Sequence, residues 1–155
     1  MTTASAPDYG VMASSSATPV PEHGPGLEIL DDVICRHLLE AAHIGRLGFT
    51  SSLLPVVLPV NFVVDGDSVV IATESPSVLR AAVGGHVACI EVDDHDALTH
   101  EGWSVLATGR LREVTDRDEL AFVEALPLAP WRHLPQPRYV RLPIELLSGR
   151  RLQPL

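Results

Sequence analysis

Apolar positions along this chain follow two rhythms after an opening stretch that has none. Residues 1–26 are rich in Ala, Ser, Thr, Pro and Gly, with no apolar period. They offer too little apolar surface to offset the entropy of ordering them, so a flexible tail is expected, with one folded unit over residues 27–155. Val33, Ile34, Leu38, Leu39 and Ala42 then recur at helical spacing behind Asp31 and Asp32, either of which can accept from the free amides of a first turn. This predicts a helix to about Ala41. From His43 the rhythm becomes alternation. His43-Ile44-Gly45-Arg46-Leu47-Gly48-Phe49-Thr50 sets small or polar residues against apolar ones, the pattern of a half-buried strand.

Residues 56–64 read as a second strand, although Pro59 within it has no amide hydrogen for a ladder. The strand must therefore be an edge, a bulge or interrupted there. Asp65-Gly66-Asp67 is a hairpin signal that returns the chain into a third strand, Ser68–Thr73. Residues 74–85 open on Ser75-Pro76-Ser77 and close on Gly84-Gly85, the start and stop marks of a short helix. Residues 86–92 form a fourth strand. Residues 100–114 form a long fifth, with Trp103, Val105, Ala107, Gly109 and Leu111 on one face and Ser104, Leu106, Thr108 and Arg110 on the other. Thr115-Asp116 caps a helix to about Leu126, Pro-rich residues 127–137 around Trp131 form an ordered excursion or lid, and residues 139–147 form the last strand. The expected class is mainly β: a six-stranded antiparallel barrel with a few short helices, closed because closure removes long exposed edges.

Composition narrows the partners. The chain has 155 residues, 46% of them hydrophobic, enough for one core of ordinary size. A net charge of -9 provides no footprint for a polyanion, so nucleic acid is not an expected partner. No basic region followed by an apolar run opens the chain, and no segment is apolar for long enough to span a bilayer. The expectation is a soluble cytoplasmic protein with no membrane partner.

Candidate chemistry is sparse. Cys35 and Cys89 are far apart among apolar neighbours and read as core thiols. Asp93-Asp94-His95-Asp96 and His100 carry metal-capable side chains on a polar turn, where a solvated loop explains them and no metal site is expected. Arginines such as Arg46, Arg80, Arg110 and Arg138 interrupt apolar segments and could hold a phosphate or carboxylate, or only solvate the surface.

Taken in order, these pieces resemble a known family. The helix leading to His43-Ile44-Gly45-Arg46-Leu47 is followed by Pro59-Val60-Asn61-Phe62, Glu91-Val92-Asp93-Asp94, Gly102-Trp103-Ser104-Val105, Thr108-Gly109-Arg110, Pro130-Trp131 and Ser148-Gly149-Arg150-Arg151. Over residues 27–152 the chain is similar to the pyridoxamine 5'-phosphate oxidase-like group, which has the FMN-binding split-barrel fold, and to its small actinobacterial-type members in particular.

The resemblance implies a homodimer with two flavin sites at the interface. Pro59, Val60, Asn61 and Phe62 would meet the polar edge of the FMN ring. Thr73, Ser75 and Ser77 would lie toward its ribityl chain and phosphate, and Trp103 would wall the pocket or the dimer contact. Family members that hold FMN place a cation just after the third strand, where this chain has Val78, so Arg80 or Arg46 would have to replace it. Two functions follow. One is an FMN-dependent oxidoreductase acting on a small-molecule substrate. The other is a non-catalytic dimeric barrel binding flavin, deazaflavin or haem, and whether the chain is an enzyme stays open between them.

Overall fold

A computed structural model describes residues 26–131 and 133–153, so the expected tail falls almost wholly outside the described residues. The first helix, α1 (Asp32–Ala41), starts where its cap was expected: the Asp31 carboxylate accepts the Ile34 amide at 2.8 Å. It buries Cys35 and Leu39 completely against the sheet. Ahead of it lies an unexpected short strand, β1 (Leu27–Leu30).

Alternation holds where it was read. β2 (Ile44–Ser51) turns Leu47 and Phe49 inward, and β3 (Leu54–Asp65) turns through Gly66, at φ 54°, into β4 (Ser68–Thr73). A positive φ suits glycine, which has no Cβ to clash. Arg36 of α1 braces this turn, donating to the Gly66 carbonyl and the Asp67 carboxylate, both at 2.8 Å. Then come α2 (Pro76–Val83), β5 (Val87–His95), β6 (Gly102–Arg110), β7 (Arg112–Glu113), α3 (Arg117–Glu124), β8 (Arg138–Pro143) and β9 (Leu146–Leu152).

The expected six strands are corrected to nine among the described residues, in the single order β1-β9-β6-β5-β2-β3-β4-β8-β7. One addition is β1, which pairs with β9 from Leu27↔Leu152 to Leu30↔Gly149. The other two arise because two expected strands are each broken. Residues 100–114 break at Leu111, whose amide turns to the His86 carbonyl at 3.0 Å, so that β7 can join β8. Residues 139–147 break at Ile144 and Glu145, whose amides donate to the Asp67 and Thr108 carbonyls. These breaks let the chain pass from one half of the sheet to the other and curl it closed. At the closure a Cβ on Gly109 would sit 1.8 Å from the Pro143 carbonyl oxygen, so only glycine admits the approach.

One apolar core fills the interior, with Leu47, Ile71, Ile90, Leu111 and Leu142 fully buried. A smaller cluster of Val70, Val114 and Val123 lies beneath α3. Among the described residues, no helix is long and apolar enough to cross a membrane.

Candidate functional site

Where β3 passes from one half of the sheet to the other, one of its edges is open. Among the described residues, 54–61 pair only with β2, and pairing with β4 begins at Phe62↔Ile71. The Phe62 amide donates to the His43 carbonyl at 3.2 Å. Alternation along an antiparallel pair then turns Val60 and Leu58 toward β2 as well, leaving the backbone of Pro59 and Asn61 facing the open side. Pro59 therefore occupies a position where no ladder amide is required, which resolves the edge, bulge or interruption in favour of an edge.

A cavity of about 340 Å³ lies against that edge. Four consecutive residues, Leu58, Pro59, Val60 and Asn61, all line it, although alternate side chains leave opposite faces of a strand, so the cavity meets the edge of β3 and not one face. Its floor is the end of β4 and the start of α2: Ala72, Thr73, Glu74, Ser75 and Val78. Pro130, Trp131 and Leu134, from the strap between α3 and β8, cover it.

Among the described residues, two hydrogen bonds tie that strap to the cavity lining. Asn61 Oδ1 accepts the Trp131 amide at 2.9 Å, and Glu74 Oε1 accepts the Gln136 amide at 2.8 Å. The Asn61 amide nitrogen donates to the His43 carbonyl at 3.4 Å, so both ends of this side chain are engaged. At the entrance to α2 the hydroxyls of Ser75 and Ser77 are 3.0 Å apart, and the Ser75 amide donates to Thr73 Oγ1 at 3.0 Å. Neither serine caps the helix through its side chain toward the backbone.

The residues singled out in the sequence thus divide. Pro59, Val60, Asn61, Thr73 and Ser75 line one cavity, and Ser77 adjoins it through Ser75. Phe62 turns into the core at 3% exposure. Arg46 lies outside the cavity, with its guanidinium bound to Glu91 at 2.9 Å and also to Asp93 on the neighbouring strand. Its hydrogen bonds to Asp93 and then to Glu91 raise its pKa still further, and they occupy the cation that would have had to replace a phosphate-binding lysine. Arg80 faces a different groove, on the outer side of α2. Trp103, across from Asp94 and Arg151, borders a shallow depression at the β5–β6 hairpin.

Glu74 and Leu134 were not anticipated. The signal for Glu74 was available, as a carboxylate between two hydroxyl residues at a strand end. Leu134 carried no local sign. Among the described residues lining the cavity, Glu74 is the one charged side chain, while Val78 is 1% exposed.

The acidic turn resolves into local structure. The Asp96 carboxylate accepts the Leu98 and Thr99 amides, which lower its pKa, and Asp94 accepts the His95 amide. Burial pushes the Cys35 and Cys89 thiols up, away from the reactive thiolate.

The open edge and its apolar walls suit a flat, polar-edged ring. Leu58, Val60, Trp131 and Leu134 can sandwich such a ring while the β3 backbone meets its rim. The phosphate end of a flavin mononucleotide fits less well, because no cation lines the floor among the described residues.

Comparison with known proteins establishes the family and the fold. A curated relative, the uncharacterised protein Rv0080 of Mycobacterium tuberculosis, is 33% identical over 146 residues, 91% of this chain and 95% of its own. The structure of an FAD-binding protein from Mycobacterium smegmatis superposes with a TM-score of 0.65 at 31% identity, covering 81% of this chain and 97% of that one. A candidate pyridoxamine 5'-phosphate oxidase from Corynebacterium glutamicum gives 0.73 at 26% identity, covering 83% and 99%. The mainly β split barrel expected from the sequence is the fold of the molecule. The family model for pyridoxamine 5'-phosphate oxidase matches residues 31–151, and the chain belongs to that family.

Proposed function

We propose that this protein binds a flavin, FMN or a close relative, in the cavity at the open edge of β3 and uses it as an oxidoreductase on a small-molecule substrate. The observation that carries this reading is the exposed backbone of Pro59 and Asn61 facing an apolar, strap-covered cavity. Such a flavin supplies hydride transfer, and the protein supplies position and electrostatics. Asn61 and the β3 backbone orient the polar rim of the ring. Thr73, Ser75 and Ser77 meet the ribityl chain, and Pro130, Trp131 and Leu134 exclude water.

The active form is a homodimer. In support, the outer face of the sheet is unusually apolar along one row, where Val57, Gly48, Cys89, Thr108 and Leu146 stand opposite one another on successive strands. Val57, Val87, Leu106 and Leu146 on this face are exposed at 63%, 53%, 37% and 58%. A second copy would cover them.

Val78 favours a second reading, in which the barrel holds a flavin, deazaflavin or haem without turnover. The absorption spectrum of the purified protein, with and without added flavin and after removal of free cofactor, tests both. Retained flavin bands that bleach and recover with reductant and acceptor support the oxidoreductase. A flavin that stays inert, or a haem band instead, supports the binding role. A colourless protein that rejects every flavin rules out the first reading.

A further inference from the structure

On the outer side of α2 lies a second groove, of about 500 Å³, lined by Pro76, Leu79, Arg80, Val83 and Arg138. No carboxylate lines it among the described residues, although the chain as a whole has a net charge of -9. Arg80 is exposed and makes no ion pair among the described residues. Arg138 is held in place by Glu113, whose side chain is only 9% exposed, while the Arg138 side chain itself is 56% exposed and keeps donors to spare. Val83 is 75% exposed, so the groove offers apolar surface beside its two cations.

This groove neighbours the cavity proposed for the flavin. Arg138 stands directly opposite Thr73 in the β4–β8 ladder, and Thr73 lines the cavity. Pro76, on the rim of the groove, follows Ser75, on the rim of the cavity. A tail leaving the cavity beside Thr73 and Ser75, where Val78 gives it no charge, runs toward the side of the sheet and helix that carries Arg138 and Arg80. Two guanidiniums suit phosphate oxygens, and a guanidinium plane beside exposed aliphatic side chains suits a purine. The groove is also larger than a single phosphate requires.

We propose that the groove holds the diphosphate and adenylate tail of a dinucleotide flavin whose ring occupies the cavity, so that the protein selects FAD over FMN. This rests on the flavin reading above, and the test separates the two. Riboflavin, FMN, FAD and ADP are titrated by calorimetry into the wild-type protein and into the Arg80→Ala, Arg80→Glu and Arg138→Lys variants. FAD is expected to bind tightest. Arg80→Ala should weaken FAD and ADP about tenfold and Arg80→Glu further, with riboflavin unchanged. Arg138→Lys, which keeps the charge facing Glu113, guards against a folding defect and should weaken FAD by a smaller factor. FMN binding as tightly as FAD, or riboflavin responding to Arg80 as strongly as FAD does, would overturn the proposal and leave the flavin reading standing. ADP binding as tightly as FAD, with no binding of riboflavin or FMN, would mean that the groove takes the adenylate while no ring enters the cavity, and would overturn both this proposal and the flavin reading. Binding of none of the four overturns both.

Discussion

Asn61 Oδ1 accepts the backbone amide of Trp131 at 2.9 Å, tying the open edge of β3 to a strap 70 positions later in the chain. The same side chain that would meet a ring at the rim of the cavity thus also latches its cover. Only one other hydrogen bond among the described residues, from Gln136 to Glu74, fastens the strap in the same way.

Asn61→Leu should therefore have two effects. Loss of the acceptor removes about 1 kcal/mol of strap closure and accelerates amide hydrogen exchange at Trp131 severalfold. Flavin affinity should fall while the global unfolding midpoint changes little, because Asn61 lies outside the core. Asn61→Asp keeps an acceptor for Trp131 and should leave exchange there near the wild-type rate. Equal exchange in all three proteins would show that the latch does not control the strap.

Val78 offers a gain-of-function test. Its side chain is 1% exposed and borders the cavity floor, so a lysine there would lay its stem along the wall and place its ammonium in the cavity. Val78→Lys should tighten FMN about tenfold or more, with a smaller gain for riboflavin, which lacks the phosphate. The overpacked wall should reduce stability by about 1–3 kcal/mol. Unchanged FMN affinity in a folded variant would mean that the phosphate lies elsewhere.

Leu106→Asp addresses assembly. Leu106 stands between Glu91 and Ser148 on the outer face of the sheet, beside the row of Val57, Cys89 and Leu146. A carboxylate buried at a two-fold contact meets its own copy or an apolar surface, and either is unfavourable. Sedimentation should show a dimer for the wild-type protein and at least a tenfold weaker association for the variant. A wild-type monomer at micromolar concentration, or a variant that dimerises normally, contradicts the assembly proposed above.

The local features of this fold were legible because local chemistry produces them. Asp31 announces α1, Gly66 announces the β3–β4 hairpin, and Pro59 announces an edge. β1 could not be read, since four residues gain their strand character only by pairing with β9. The break at Ile144-Glu145 was hidden because the alternation of Val140, Leu142, Ile144 and Leu146 continues through it, and the break at Leu111 because only the strand partners on either side of it change. The site divides along the same line. Backbone-defined positions such as Pro59, Asn61 and Thr73 line one cavity, whereas the arginines lie outside it. Where a guanidinium settles depends on the carboxylates that three-dimensional folding brings to it, as Glu91 and Asp93 do for Arg46.

A carboxylate network at the far side of the barrel gives the protein an acid limit. Glu119, on α3, receives both Arg112 nitrogens at 2.9 and 2.6 Å and Arg141 Nε at 2.9 Å, while Arg141 also reaches Asp65 at 2.7 Å. Arg112 chiefly, with Arg141, holds the Glu119 carboxyl below its ordinary 4.5. A carboxyl with a depressed pKa in the folded state is more readily protonated in the unfolded chain. Its contribution is therefore complete above the ordinary value and is lost as the pH falls below 4.5 toward the folded value. Urea midpoints should be flat between about pH 6 and 8 and decline once the pH drops below that ordinary value. Glu119→Gln leaves Arg141, with a side chain only 10% exposed, short of one partner, and should lower the neutral plateau by about 1–2 kcal/mol. Because glutamine does not titrate, the variant should also show a shallower acid decline. A variant whose midpoint falls with acid as steeply as that of the wild-type protein would place the acid limit at other carboxylates.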